Sequence, residues 1–306
     1  MLIVFPGQGS QKIGMGKDIY DAFRSARDVF HEIDEAISFN LSNLIFNGSP
    51  EDLKLTKNTQ PALMAVCMAF VRVLEKEFNV NLLAKTRFLA GHSLGECTAL
   101  CASGAIALSD AAKILRTRGY AMAKACPVDG AMAAIIGMNI ETLEKNVKEC
   151  SSMDKIVQIA NDNSPEQIVI SGHKDAVKKV MKMAANVRTV LLEVSGPFHS
   201  ILMEKAAKEV AEALCGISFN PPAKPIISNV TAIAESNNFK DLLVKQITNR
   251  VRWRESILFA EANSVKKCIE IGPGKVLTGL VKRISPEINS INVNSLDSLE
   301  MFANQF

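Results

Sequence analysis

The chain has 306 residues, 48% apolar and 22% charged, with 35 Lys+Arg against 32 Asp+Glu and a net charge of +3. At 33.2 kDa, surface scaling gives roughly 12,600 Å² folded against roughly 48,000 Å² unfolded, enough burial for a core without disulfide staples. A disordered chain, a collagen and a small disulfide scaffold are excluded, and so mild a charge, with no nucleic-acid-reading motif, does not point to DNA or RNA.

The length fits one large domain or a domain with a smaller companion. The longest apolar run, Ala62 to Val71, is too short for a membrane span, which needs about 18–20 residues. The N-terminus lacks the basic and apolar regions of a signal peptide, so a cytoplasmic protein is expected. Seven cysteines, an odd number with no CxxC pair, read as reduced and mostly buried thiols. Four histidines show no metal-ligand spacing, and no metal is expected.

In chain order, Leu2–Phe5 reads as a buried strand running into the loop Pro6-Gly7-Gln8-Gly9-Ser10. Ile19, Phe23, Ala26, Phe30, Ile33 and Ile37 recur at helical spacing and predict one amphipathic helix. Pro61 to about Phe78 is apolar nearly all round and predicts a buried helix. Phe88–Ala90 predicts a strand and Leu94 to about Ser103 a helix, and Ser109 can N-cap another helix running to about Cys126.

The texture changes near Pro127. Ala131–Met138, Ile156–Ala160, Gln167–Ser171 and Val187–Val194 predict strands; Glu141–Cys150 and Asp175–Asn186 predict helices. That β-α-β-β-α-β order is the split-βαβ or ferredoxin-like arrangement. It reads as an insert that returns the chain to the main domain at Gly196-Pro197. Afterwards Pro225–Val230, Lys267–Ile271 and Ile291–Val293 predict strands, and Phe239–Thr248 and Lys275–Ile284 helices. Strand–helix alternation outside the insert implies a mainly parallel sheet covered on both faces.

Between the predicted strand at Phe88 and the helix at Leu94 stands Gly91-His92-Ser93-Leu94-Gly95. It fits G-x-S-x-G, in which a serine nucleophile sits on a tight strand-to-helix turn. The alternative is a plain structural turn. A serine nucleophile needs a base. His31 lies in a charged helix, His173 opens a helix of the insert and His92 points away from its neighbour Ser93, which leaves His199 by elimination. Asp154, Asp162, Asp175 and Glu193 lie between serine and histidine, but all belong to the insert. None stands out as an orienting acid, so a Ser/His dyad with a non-carboxylate partner is expected.

Arg118 shares a helix face with Ala111, Leu115 and Met122. A guanidinium on an apolar stripe needs partners. It is either a bidentate anchor for a substrate carboxylate or half of a buried structural ion pair. The Gly7-Gln8-Gly9 loop could bring a backbone N–H to the serine and, with the N–H of Leu94, form an oxyanion hole; the alternative is a strand-end turn. Gly272-Pro273-Gly274 matches no phosphate loop and reads as a structural turn.

In order along the chain stand Pro6-Gly7-Gln8-Gly9-Ser10-Gln11, Gly91-His92-Ser93-Leu94-Gly95-Glu96, Arg118-Gly119, Pro197-Phe198-His199 and Glu270-Ile271-Gly272-Pro273-Gly274-Lys275. This set resembles the malonyl-CoA:acyl-carrier-protein transacylases of type II fatty acid synthesis over nearly the whole chain. The resemblance implies an α/β-hydrolase-like core, residues 1–126 and 197–306, with an inserted ferredoxin-like subdomain at 127–196. It implies that Ser93 is acylated, that His199 is the base, and that Gln246 orients the histidine through a carbonyl oxygen. It implies that Gln8 and Leu94 form the oxyanion hole and that Arg118 binds the malonyl carboxylate. Phe198 resembles the malonyl-selecting form of related polyketide acyltransferases, and no transit extension is expected before the first strand.

The expected reaction is ping-pong, from malonyl-CoA through malonyl-Ser93 to the phosphopantetheine thiol of acyl carrier protein, without metal or other cofactor. Such carriers are acidic. Arg250, Arg252 and Arg254, or Lys178, Lys179 and Lys182, are therefore candidates for docking, with ordinary solvated charge as the alternative. Three other readings stay open: a serine hydrolase or thioesterase, an acyltransferase for another acyl group, and a non-catalytic subunit.

Overall fold

Leu2, Ile3, Val4 and Phe5 leave a strand no polar side to turn toward water, so both of its faces must be covered. In the computed structural model, which describes residues 1–125 and 129–305, this strand (β1, Leu2–Phe5) is buried throughout. Ile3 and Phe5 point into one apolar core, Leu2 and Val4 into another on the opposite face. The remaining strands are β2 (Phe88–Gly91), β3 (Gly130–Ile136), β4 (Val157–Ser164), β5 (Gln167–His173), β6 (Arg188–Leu191), β7 (Ile226–Ile227), β8 (Ala234–Glu235), β9 (Lys267–Ile271) and β10 (Asn289–Val293). The main sheet has the order β10-β9-β1-β2-β7-β8. Its first five strands are parallel and β8 is an antiparallel edge. The expected cysteine at 126 and the expected boundary between 126 and 127 lie outside the described residues.

The second sheet is antiparallel, in the order β4-β5-β3-β6. Helices Ile140–Cys150 and Lys174–Met183 follow β3 and β5, which is the split-βαβ connection. Ala131, Ala133 and Ile135 face those helices, while Met132 and Ala134 face the main core. A period of two thus serves two cores from one strand. Two contacts latch this sheet to the rest. Asn161 bridges Val251, and the fully buried Asp162 takes Arg254 side-on, with Nε–Oδ1 2.9 Å and Nη2–Oδ2 2.8 Å.

Several elements depart from expectation for identifiable reasons. The helix expected across Ile19–Ile37 is two, Lys17–Ala22 and Arg24–Ala36, because Phe23 is extended and packs edge-on against Phe78. Arg27 then donates to the free carbonyls of Tyr20 and Asp21. Ser109 caps nothing: its helix, Leu108–Lys124, starts two residues earlier than a cap there would give, after Ala107. The strand expected at Pro225–Val230 shrinks to β7, since Ser228 and Asn229 leave the sheet. Cys215 is exposed and Cys150 partly so; Cys67, Cys97, Cys101 and Cys268 are buried, and all six are free.

The long buried helix begins at Thr56, so Pro61 lies inside it. Proline leaves one carbonyl without its helical donor, here that of Lys57, and Arg116 Nη1 donates to it at 3.0 Å. The helix Leu108–Lys124 can approach this closely because residue 119 is glycine. A Cβ there would lie 2.5 Å from Lys57 Cα and 2.7 Å from Thr56 O. Neither backbone atom can move alone. Gly119→Ala should therefore lower stability by about 1–3 kcal/mol, the usual effect of overpacking, read as a lower urea midpoint with unchanged slope.

Candidate active site

The turn from β2 into the helix Leu94–Ala102 holds Ser93 at φ 53°, ψ −108°. A non-glycine residue there is strained by about 1–3 kcal/mol and persists only where its surroundings dictate it. The two flanking glycines are part of those surroundings. A Cβ on Gly91 would collide with the backbone of Gly95, and one on Gly95 with the carbonyl of Phe5. The rest is hydrogen bonding. Asn229 Oδ1 accepts from Ser93 N at 2.8 Å, Asn229 Nδ2 donates to Gly91 O at 2.7 Å, and Gln246 Nε2 donates to Ser93 O at 3.0 Å.

His199 Nε2 lies 2.8 Å from Ser93 Oγ, and its Nδ1 lies 2.8 Å from the backbone carbonyl of Gln246. A carbonyl can only accept, so Nδ1 carries the proton and Nε2 is left to accept from the serine hydroxyl. The partner of the ring is therefore a main-chain oxygen. The four acidic residues of the insert are elsewhere: Asp162 on Arg254, Asp175 on Lys155, Glu193 on Lys54, and Asp154 exposed. The other histidines are apart as well. His92 Nε2 meets Asn163 Oδ1 at 2.8 Å and its ring packs on Trp253; His31 is near Tyr20, and His173 takes Ile156 N.

Arg118 is buried, as its stripe requires, but not in an ion pair. Nη1 donates to Gln60 Oε1 at 2.7 Å; Nη2 donates to Gln246 Oε1 at 2.9 Å and to Ser93 Oγ at 3.0 Å. Among the described residues no carboxylate lies within ion-pair distance of it. A buried guanidinium held only by neutral acceptors is a ready site for an anion. It lines a cavity of about 420 Å³ together with Ser93, His199, Gln8, Leu94 and Phe198. Met122, Met132, Leu192 and Val194 supply apolar walls.

Gln8 reaches the cavity because Gly7 lies against the serine turn; a Cβ on Gly7 would be 2.8 Å from His92 O. Leu94 is the first residue of its helix, so its N–H has no intrahelical acceptor. Among the described residues no three His, Cys, Asp or Glu side chains converge as metal ligands would. Gly272-Pro273-Gly274 is structural. Glu270 caps the helix after it, accepting from Leu277 N and from Thr278 N and Oγ1.

Three residues of the site have a role that no sequence signal assigns, although Glu96 stands at the end of the serine motif. Gln60 ends the polar first turn of its helix, after Thr56, Lys57, Asn58 and Thr59, and holds Arg118. Glu96 accepts from Gln246 Nε2 at 2.7 Å and from Asn229 N at 3.1 Å. Asn229 is recruited from a different part of the chain. Burial sets the charges. It pushes the Glu96 carboxyl up and Cys97, the next residue in the chain, up to about 12, so that thiol is inert at neutral pH. Burial first and the Arg118 charge second hold His199 down at about 3, so the ring is neutral, with the lone pair of Nε2 free to accept the hydroxyl proton.

Residues 2–296 match the family model of the acyl transferase domain. The chain is 43% identical over 304 residues to the malonyl CoA-acyl carrier protein transacylase of Bacillus subtilis (strain 168), covering 97% of this chain and 94% of the relative. It is 39% identical over 297 residues to the protein of that name from Escherichia coli (strain K12), covering 95% and 94%. Among solved structures it is similar to the acyl-carrier-protein-S-malonyltransferase of Bartonella henselae, with TM-score 0.96, 46% identity and coverage of 99% and 98%. It is also similar to a malonyl-transacylase in complex with its type II PKS acyl-carrier protein, with TM-score 0.94, 38% identity and coverage of 100% and 99%.

The depressed His199 makes a directional prediction. Its pKa falls from 6.5 to about 3 in the folded chain, so between those values the unfolded chain binds more protons and acid weakens folding. The base itself stays neutral. The rate at which a fluorophosphonate labels Ser93 should therefore stay level from about pH 8 to about pH 5, where an unshifted imidazole would lose about thirtyfold.

Proposed function

The chain belongs to the acyl transferase family, and from that premise we propose that it moves a malonyl group from malonyl-CoA to the phosphopantetheine thiol of an acyl carrier protein. The observation that carries the choice of acyl group is Arg118: a buried cation with no carboxylate partner among the described residues, 3.0 Å from Ser93 Oγ. The malonyl carboxylate supplies the missing anion. Its thioester carbonyl then lies over the serine.

In this reading His199 Nε2 takes the hydroxyl proton while Ser93 Oγ attacks the thioester carbon. The backbone N–H groups of Gln8 and Leu94 stabilise the oxyanion; one such donor is worth about 10²–10³ in rate. The C–S bond breaks, CoA leaves as a thiol with the proton from His199, and malonyl-Ser93 remains. The carrier thiol reverses these steps, so the kinetics are ping-pong. Gln246 keeps the ring oriented through its main-chain oxygen, and Phe198 shapes the pocket for the small acyl group. We assign residues 1–126 and 197–306 to the acyltransferase core and 127–196 to the ferredoxin-like subdomain that forms the cavity's other wall. The reaction needs only side chains and backbone, with no metal or other cofactor, and we place it in the cytoplasm, supplying fatty acid elongation.

Of the two basic clusters, Lys178, Lys179 and Lys182 suit an acidic carrier better. They are exposed on the helix Lys174–Met183. Arg250, Arg252 and Arg254 are taken up internally by Glu144, Glu255, Asp162 and the carbonyls of Val230 and Thr231.

Intact mass after mixing with malonyl-CoA and no acceptor tests the first half-reaction. Wild type should gain one malonyl group and Ser93→Ala none. Arg118→Ala should lose malonyl transfer by about 10–100-fold, the worth of a charge-assisted pair, while still accepting acetyl from acetyl-CoA. Steady release of CoA and malonate with no adduct would make the protein a hydrolase instead.

A further inference from the structure

Glu96 touches neither the serine hydroxyl nor the imidazole, yet the support of both converges on it. Its carboxylate is buried, and among the described residues no lysine or arginine pairs with it. Burying a carboxylate is unfavourable unless its acceptor sites are filled, and here both strong bonds end on one oxygen. Oε2 accepts from Gln246 Nε2 at 2.7 Å and from Asn229 N at 3.1 Å; the Ser228 hydroxyl adds a further bond. From Gln246 the contacts run to His199 Nδ1, Ser93 O and Arg118 Nη2. From Asn229 they run to Ser93 N and Gly91 O, the two sides of the strained turn.

We propose that Glu96 is a positioning residue for acyl transfer: by anchoring Asn229 and Gln246 on a single oxygen it holds Ser93 and His199 in reacting register. The inference rests on Ser93 and His199 being the reacting pair. Because the role is acceptance at one point, an amide oxygen in the same place can fill it. Glu96→Gln keeps both bonds, its amide nitrogen facing the Ser228 hydroxyl, whereas Glu96→Ala removes both. Asn229→Ala cuts the side-chain bonds to Ser93 N and Gly91 O and leaves both Glu96 bonds, since Asn229 donates to Glu96 through its main chain.

The test is the rate at which an alkyl fluorophosphonate labels Ser93, followed by intact mass beside thermal melts. The probe carries no carboxylate and no CoA, so the result does not depend on the acyl donor. Glu96→Ala and Asn229→Ala should label at least about tenfold more slowly in the folded protein, since small misplacements of reacting groups have large effects on rate. Glu96→Gln should stay within about threefold of wild type. With malonyl-CoA the losses should fall on kcat, with KM little changed. A merely structural glutamate would lower the melting temperature and leave the labelling rate of the folded protein intact, which overturns the proposal. So does Glu96→Gln labelling as slowly as Glu96→Ala. Should Glu96→Ala fail to fold, Glu96→Asp, which draws the accepting oxygen back by one methylene, decides on the same criterion. An unlabelled wild type would overturn the reading of Ser93 itself, and the role of Glu96 with it.

Discussion

One strained residue organises the rest of this structure. Ser93 sits at a backbone angle that its own chemistry disfavours, and the neighbouring structure removes its alternatives. Glycines at 91 and 95 let β2 and the following helix close on each other and on β1. Asn229 then accepts from the serine's own N–H, and Gln246 donates to its C=O beside the local bond from Glu96 N. Neither Asn229 nor Gln246 comes from the local segment, so the turn exists only when the whole core has assembled.

The second constraint is a buried positive charge. Arg118 is in place because two long helices meet at Gly119 and because Gln60 and Gln246 offer it neutral oxygens. Burial disfavours the charged guanidinium; Glu96, behind Gln246, offsets this without meeting it. The same charge reinforces the effect of burial on His199. An anion arriving at Arg118 would relieve both, which links occupancy of the cavity to the basicity of the ring.

The second sheet supplies a wall and the latch that places it. Met132, Leu192 and Val194 reach the cavity from it or from the segment that follows it. Its placement depends on Asp162 with Arg254 and on the Asn161–Val251 bridge. An ion pair that takes one fully buried carboxylate defines a register better than it adds stability.

The sequence by itself determined the parallel core and the β-α-β-β-α-β order, because periods of 2 and 3.6 are written in neighbouring residues. It also marked Ser93 by its glycines, His199 by elimination, and Arg118 by its misfit on an apolar stripe. For Arg118 it could not separate an anion anchor from a structural ion pair, since that depends on which partners the fold delivers. Only the tertiary structure decided that these partners are the neutral Gln60 and Gln246, that the histidine leans on a main-chain oxygen, and that Glu96 and Asn229 carry the serine turn. It also broke the first long helix at Phe23, tolerated Pro61 through Arg116, and turned Arg254 inward to Asp162. These are contacts between residues tens to more than a hundred positions apart. They arise when buried polar groups must each find a partner, and no local pattern records which one.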